Sequence, residues 1–313
     1  MPTTKMILDV DTGIDDALAI LLALKSEHIR LEGLTTVYGN VGVEQATKNT
    51  LAVLELSGVK YEVPVAMGAS GPLFCKWRGA VPWIHGNNGL GEYELPEPKQ
   101  KPLDEFAPDF IVRKINEQPG ELTLVFVGRM TNLAVALAKD PSIASKVKRL
   151  VLMGGALNGI DKANIGDDPE AAHRVFESGM PITMVGWDVT MKTLLLNEEV
   201  ETFKELAASA GPGKEKLIEF VDSILKFYSD AYVKHNGLKD KVPLYDPLAV
   251  AVAEDPTLVV TEGHYITIET KGELSRGATL ADLRHPPSVT NASVCVGVDR
   301  DRFIDRFLEV LAR

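Results

Sequence analysis

Met6-Ile7-Leu8 is an apolar run that gives way to Asp9-Val10-Asp11-Thr12-Gly13 and then to Ala17-Leu18-Ala19-Ile20-Leu21, which reads as a strand, a turn and a helix. Gly13 suits a turn that needs positive φ, and Asp15 and Asp16 fall where the first helical turn begins. The order repeats with a strand from Ile29 to Val37 closing on Tyr38-Gly39-Asn40, helical spacing from Val43 to Ser57, and a short buried strand from Val63 to Met67. Strands alternating with helices in this way imply a parallel sheet covered on both faces. From Gly68 to Pro102 the pattern lapses into Pro, Gly and Asn, and Ile84-His85-Gly86-Asn87-Asn88-Gly89 is placed to lie over the strand ends as a lid.

The alternation then resumes. Spacing predicts a helix over Phe106 to Asn116, a strand over Leu122 to Val127, a helix over Leu133 to Ala138 and a strand over Arg149 to Met153. Pro169 behind Asp168 opens a helix to Ser178, and Met180 to Val185 is a further strand. Beyond Asn197 the chain is mostly helical up to His235, and Asp246-Pro247 opens a short helix over Leu248 to Val252. Strand-like stretches follow at His264 to Glu269 and Ser293 to Val298, then a helix from Arg302 to Leu311 with Asp301 as its cap. No repeat, low-complexity tract or linker divides the chain. The expected architecture is one α/β domain over residues 1–313, an open, mostly parallel, Rossmann-like sheet with helices on both faces and a C-terminal helical region.

Composition narrows the partners more than the fold. Hydrophobic residues make up 45% and charged residues 25% of 313 residues, the balance of a globular enzyme. A net charge of −11 without any Lys/Arg-rich run argues against nucleic acid and anionic membranes. Cys75 and Cys295 make neither a disulfide framework nor a metal pattern, and neither a signal peptide nor a membrane span is legible, so the expected compartment is the cytosol.

The chemistry gathers at strand ends, where open α/β sheets bind their ligands. Helix capping accounts for one or two of Asp9, Asp11, Asp15 and Asp16, because each contact with a helix N-terminus is worth only about 0.3–1 kcal/mol. Four crowded carboxylates raise one another's pKa unless a cation neutralises them. With oxygen donors alone, Ca²⁺ or Mg²⁺ suits the cluster better than zinc.

Asp-x-Asp-x-Gly-x-Asp-Asp at residues 9–16, Thr35-Thr36-Val37-x-Gly39-Asn40, Ile84-His85-Gly86, Thr131-Asn132-Leu133-Ala134, Val151-Leu152-Met153-Gly154-Gly155, Asp168-Pro169-Glu170-Ala171-Ala172 and Asp246-Pro247 stand in that order. In these seven blocks the chain strongly resembles the nucleoside hydrolases of the inosine–uridine-preferring type. The resemblance implies hydrolysis of the N-glycosidic bond of ribonucleosides or related N-ribosyl compounds around a bound Ca²⁺, by a homodimer or homotetramer. It assigns Asp11, Asp16, Asp246 and the main-chain carbonyl of Val127 to the metal, with Asp11 also taking a proton from the attacking water and Asn40 orienting the water or Asp11. Asp15 and Asn164 become ribose-binding residues, and Asn158 and Met153 fall in the same substrate wall. Asp9 becomes a support for Asp11 or the water.

Two positions depart from the family pattern. Tyr245 stands where a histidine would protonate the departing base, so either its hydroxyl is tuned to act as an acid or it stacks on the base with Trp83. His85, and His235 and Tyr232 in a helical segment that also carries Tyr228, are further candidates at the base. Lys162 stands where a glutamate would grip ribose hydroxyls, so either Asp161 takes that role or Lys162 meets a different 5′ substituent, an anionic one included. Two rival readings remain. One is a weak homologue that binds Ca²⁺ and ribose. The other is a haloacid-dehalogenase-like Mg²⁺ phosphohydrolase using Asp9-Val10-Asp11-Thr12 and Gly166-Asp167-Asp168.

Overall fold

The computed structural model describes residues 3–284 and 287–313. Its main sheet has eight strands in the spatial order Val259–His264, Ala292–Val298, Ile182–Val185, Arg149–Met153, Thr123–Phe126, Thr4–Val10, Ile29–Thr36 and Val65–Met67. Every neighbouring pair is parallel except the first, in which Val259–His264 runs antiparallel to Ala292–Val298. The central strands alternate sides, as the period of two requires. Met6, Leu8, Val125, Val127 and Val151 enter one core layer, whereas Ile7, Leu124, Phe126, Leu150 and Leu152 enter the other. Helices Ile14–Lys25, Val43–Ser57, Glu215–Asn236, Tyr245–Glu254 and Arg300–Ala312 pack on the first layer. Helices Ala107–Glu117, Thr131–Lys139 and Pro169–Phe176 pack on the second.

Three local expectations change. The strand expected from His264 is displaced to Val259–His264, an edge strand paired on one side only and exposed from Val260 to Gly263, so its sequence Val-Val-Thr-Glu-Gly-His shows no alternation of apolar and polar positions. Thr267–Ile268 instead joins Ala278–Leu280 and Gly159–Ile160 in a small separate sheet. The last helix begins at Arg300, two residues early, because Asp299 and not Asp301 caps it, accepting from the Arg302 N–H at 3.3 Å.

The chain winds outward from Thr4–Val10 through Ile29–Thr36 to Val65–Met67, then returns to add Thr123–Phe126 on the other side. That reversal opens a crevice at the carboxyl ends of Thr4–Val10 and Thr123–Phe126, where Asp11 and Val127 follow directly.

Candidate active site

A cavity of about 250 Å³ opens at this switch point, walled by Asp11, Asp15, Asn40, Val127, Asn164 and Asp246 on its polar side. Two helices aim their first turns at it. Asp15 and Asp16 lie in the first turn of Ile14–Lys25, Asp246 lies in the first turn of Tyr245–Glu254, and the two helices pack together. One carboxylate oxygen from each of Asp15, Asp16 and Asp246 lies within 4.8 Å of the other two. All three are buried, and burial together with mutual repulsion pushes Asp16 and Asp246 well above the ordinary carboxyl range and Asp15 up to about 7. Asp15 Oδ1 is buried without a hydrogen-bond partner. Crowded acidic oxygens with an orphan acceptor among them fit a hard divalent cation.

Asp11 is held differently. Its Oδ2 accepts from the Asn40 N–H at 2.6 Å and from the buried guanidinium of Arg129. Asp16 accepts from the N–H groups of Asp11 at 3.0 Å and Gly13 at 2.9 Å, and from Asn40 Nδ2 at 2.9 Å, so the helix cap and the site share one carboxylate. Gly13 has φ −97°, and positive φ is not what requires glycine there. A Cβ would fall 2.5 Å from His85 Nδ1 and 2.8 Å from Asn40 Nδ2. Asn164 Nδ2 donates to the carbonyls of Val127 at 2.5 Å and Met153 at 3.0 Å.

His85 ends a one-turn helix, Pro82–His85, within the loop that carries the expected lid, and is 6% exposed. Its Nδ1 accepts from the Ile14 N–H at 3.1 Å and lies 3.9 Å from Asp15 Oδ1. Burial, helped by Arg129, pushes its pKa down to about 3, so the ring is neutral at pH 7 with its proton on Nε2. The opposite wall is aromatic. Tyr228 and Tyr232 meet edge to face at 4.8 Å, Tyr232 and Tyr245 lie 6.4 Å apart, and Trp187 completes it. Burial pushes the Tyr245 hydroxyl up to about 12, and that hydroxyl donates to Met191 Sδ at 3.3 Å.

Four expected residues stand off the cavity wall. Asn158 is exposed in a left-handed turn, φ 57°, where its side chain accepts from Ala281 N. Lys162 is exposed and touches the network only through its carbonyl, which accepts from Arg78 at 2.5 Å. Trp83 is 56% exposed, and His235 lies exposed near the end of Glu215–Asn236. Asp161 does reach the wall, but its carboxylate accepts from the N–H groups of Gly155, Ala163 and Ile165. Asp9 turns into the second core layer, where Oδ2 accepts from Thr35 at 2.5 Å and Asn132 at 2.8 Å. Asp168 caps its helix and accepts from Thr131. The phosphohydrolase reading needed both of these at the cavity. Arg129 and Trp187 were missed by sequence reasoning. The only signal for Arg129 was a basic residue two places beyond a buried strand, opposite an acidic cluster.

A doubly covered parallel sheet with acidic helix starts, amides and an aromatic wall around one small crevice defines an α/β enzyme for a small ligand that is polar at one end and planar at the other. The chain belongs to the inosine-uridine preferring nucleoside hydrolase family, whose sequence profile matches residues 6–305. It is 39% identical over 288 residues to uridine nucleosidase 1 of Arabidopsis thaliana, covering 89% of this chain and 82% of that protein. With the inosine-uridine preferring nucleoside hydrolase of Leishmania major it shares 37% identity over 317 residues, covering 99% and 98%. The solved purine-preferring ribonucleoside hydrolase from Gardnerella vaginalis superposes with a TM-score of 0.91 at 40% identity, covering 99% and 98%. The chain is therefore an N-glycosyl hydrolase of ribonucleosides.

Proposed function

We propose that the chain cleaves ribonucleosides with Ca²⁺ held by Asp11, Asp16, Asp246 and the carbonyl of Val127. The observation that carries this reading is the convergence of the buried oxygens of Asp15, Asp16 and Asp246 within 4.8 Å, next to a cavity that Asp11 and Val127 also line. When bound, the ion supplies Lewis-acid polarisation of a water and a template for the sugar diol. Asp11, whose Oδ2 is occupied, takes the water's proton on Oδ1 as the oxygen attacks C1′. Asp15 accepts from a ribose hydroxyl with its orphan Oδ1, and Asn164 fixes the sugar against the Val127 and Met153 carbonyls. The C1′–N bond breaks with its electron pair moving to the base nitrogen, which takes a proton from solvent, and Asp11 returns its proton to solvent, so that one water is consumed in all. Tyr228, Tyr232, Tyr245 and Trp187 enclose the base meanwhile, and the raised Tyr245 pKa favours stacking over proton donation.

The same reading has a homodimer or homotetramer working in the cytosol. Two free cysteines are consistent with a reducing compartment, and no helix among the described residues is long and apolar enough to cross a membrane. The test is calorimetric titration of chelator-treated protein with Ca²⁺, beside a panel of nucleosides scored for reducing sugar. Binding with Ca²⁺-restored turnover is expected. Full turnover in chelator with no binding heat refutes the metal assignment, and Ca²⁺ binding with no base released from any nucleoside would indicate a binding protein instead.

A further inference from the structure

Among the described residues Arg129 is the cationic side chain that lines the cavity, and it is 2% exposed. Its Nη1 meets Asp11 Oδ2, while Nε and Nη2 donate to Asp167 Oδ2 at 3.2 and 2.8 Å. The other oxygen of Asp167 accepts from Arg78 Nε at 2.8 Å and Nη2 at 2.5 Å. Asp11, Arg129, Asp167 and Arg78 thus form a chain of alternating charge that runs from the cavity to the surface. Such a fork fixes direction as well as charge, because a planar guanidinium binds two partners only in one plane. Gly39 accommodates it, since a Cβ there would collide with both the Arg129 guanidinium and the Asp11 carboxylate.

We propose that Arg129 is a positioning residue for the hydrolysis. It pins Asp11 by Oδ2 and so leaves Oδ1 as the acceptor for the attacking water, with Asp167 and Arg78 holding the guanidinium in plane. The inference rests on the assignment of Asp11 to that water. Arg129 touches no reacting atom. Its effect passes through Asp11, the one carboxylate of the proposed metal set that a guanidinium also holds.

The experiment uses the full chain with Arg129→Met, Arg129→Lys, Asp167→Asn and Asp11→Asn, and with Arg129→Met combined with Asp11→Asn. Base release from uridine and inosine gives kcat and KM. Melting of chelator-treated protein, with and without added Ca²⁺, gives a readout independent of turnover. Arg129→Met is expected to lower kcat about 100-fold, the cost of a misplaced reacting group, with KM changed less than about threefold. Arg129→Lys recovers part of that loss, because a single ammonium reaches Asp11 or Asp167 but not both. Melting of the chelated protein falls by roughly 10 °C in Arg129→Met, which strands Asp11 as a buried charge and leaves Asp167 with Arg78 alone. That fall is smaller when Asp11→Asn is already present, because the two changes break the same contact. Should Arg129→Met not fold, Asp167→Asn serves, with about a tenfold loss of kcat expected and no loss counting against the proposal. A wild-type kcat in Arg129→Met, or equal melting effects with and without Asp11→Asn, overturns it. A wild-type enzyme fully active in chelator overturns the metal assignment instead, and leaves the Arg129 and Asp11 cycle to be read as before.

Discussion

Replacing Tyr245 by Phe removes one oxygen and keeps the ring, so it separates two ways of helping the base leave. The Tyr245 hydroxyl donates to a thioether, a weak acceptor, and burial has pushed it up to about 12. A general acid contributes about 10²–10⁴-fold, or roughly 2.7–5.4 kcal/mol of barrier, and does so best with a pKa near the working pH. A hydroxyl at about 12 is five units too weak at pH 7 for that role. Loss of one modest hydrogen bond costs about 0.5–1.5 kcal/mol, which sets about tenfold as the ceiling for an effect that does not involve proton transfer. Tyr245→Phe should therefore keep kcat within about tenfold of wild type. Tyr245→Ala also removes the ring that meets Tyr232 at 6.4 Å and should cost more. The assay is steady-state release of reducing sugar from inosine and uridine, beside a nitrophenyl riboside whose leaving group needs no proton. A loss of 100-fold or more with the nucleosides, absent with the nitrophenyl riboside, refutes the stacking argument and makes Tyr245 the acid.

Asp246→Asn should abolish turnover yet raise the melting temperature of chelated protein, because it removes one of the carboxylates that repel one another; a lower melting point would contradict the charge argument. Gly39→Ala should lose both activity and stability, as its methyl group meets Arg129 and Asp11, and far-UV circular dichroism with thermal melting checks this. Burial and the neighbouring Lys214 push Lys25 down to about 8, so the unfolded chain binds more protons between pH 8 and 10.5 and stability rises with pH across that window. Below pH 8 the penalty is fully present, and solvent screening of this half-exposed side chain reduces it to about 1 kcal/mol. Lys25→Met should recover it in urea unfolding at pH 7 and flatten the pH dependence.

Local chemistry was legible in the sequence, and long-range pairing was not. The Met6-Ile7-Leu8 run, the acidic turn and Pro169 behind Asp168 each declare themselves within a few residues, and each appears where its spacing places it. Of the residues expected at the site, Asp11, Asn40, His85, Val127, Asn164, Tyr228, Tyr232, Tyr245 and Asp246 line one cavity. Arg129 escaped because its partner is 118 residues away in sequence, and nothing near it in the chain marks it as paired. Lys162 read as a substitute for a binding glutamate, but the loop turns its side chain to solvent while its carbonyl meets Arg78. The edge strand Val259–His264 was shifted because strand reasoning looks for alternating buried positions, and an edge exposed from Val260 to Gly263 has none.

The acidic turn itself now divides by how each charge is met. Helix N-termini supply about 0.3–1 kcal/mol per carboxylate, whereas the effective cost of burying an ion is several kcal/mol, so capping cannot hold Asp15, Asp16 and Asp246 ionised together. Asp9 points away from the cavity, where Thr35 and Asn132 meet one of its oxygens and burial pushes its pKa up to about 8. Asp11 is met by a guanidinium that is itself shared with Asp167. Asp15, Asp16 and Asp246 have no cationic side chain against them among the described residues, and it is their oxygens that converge within 4.8 Å. That crowding is what a divalent ion from solution would relieve: in the proposed site Asp16 and Asp246 hold it together with Asp11, and Asp15 is left to the ribose.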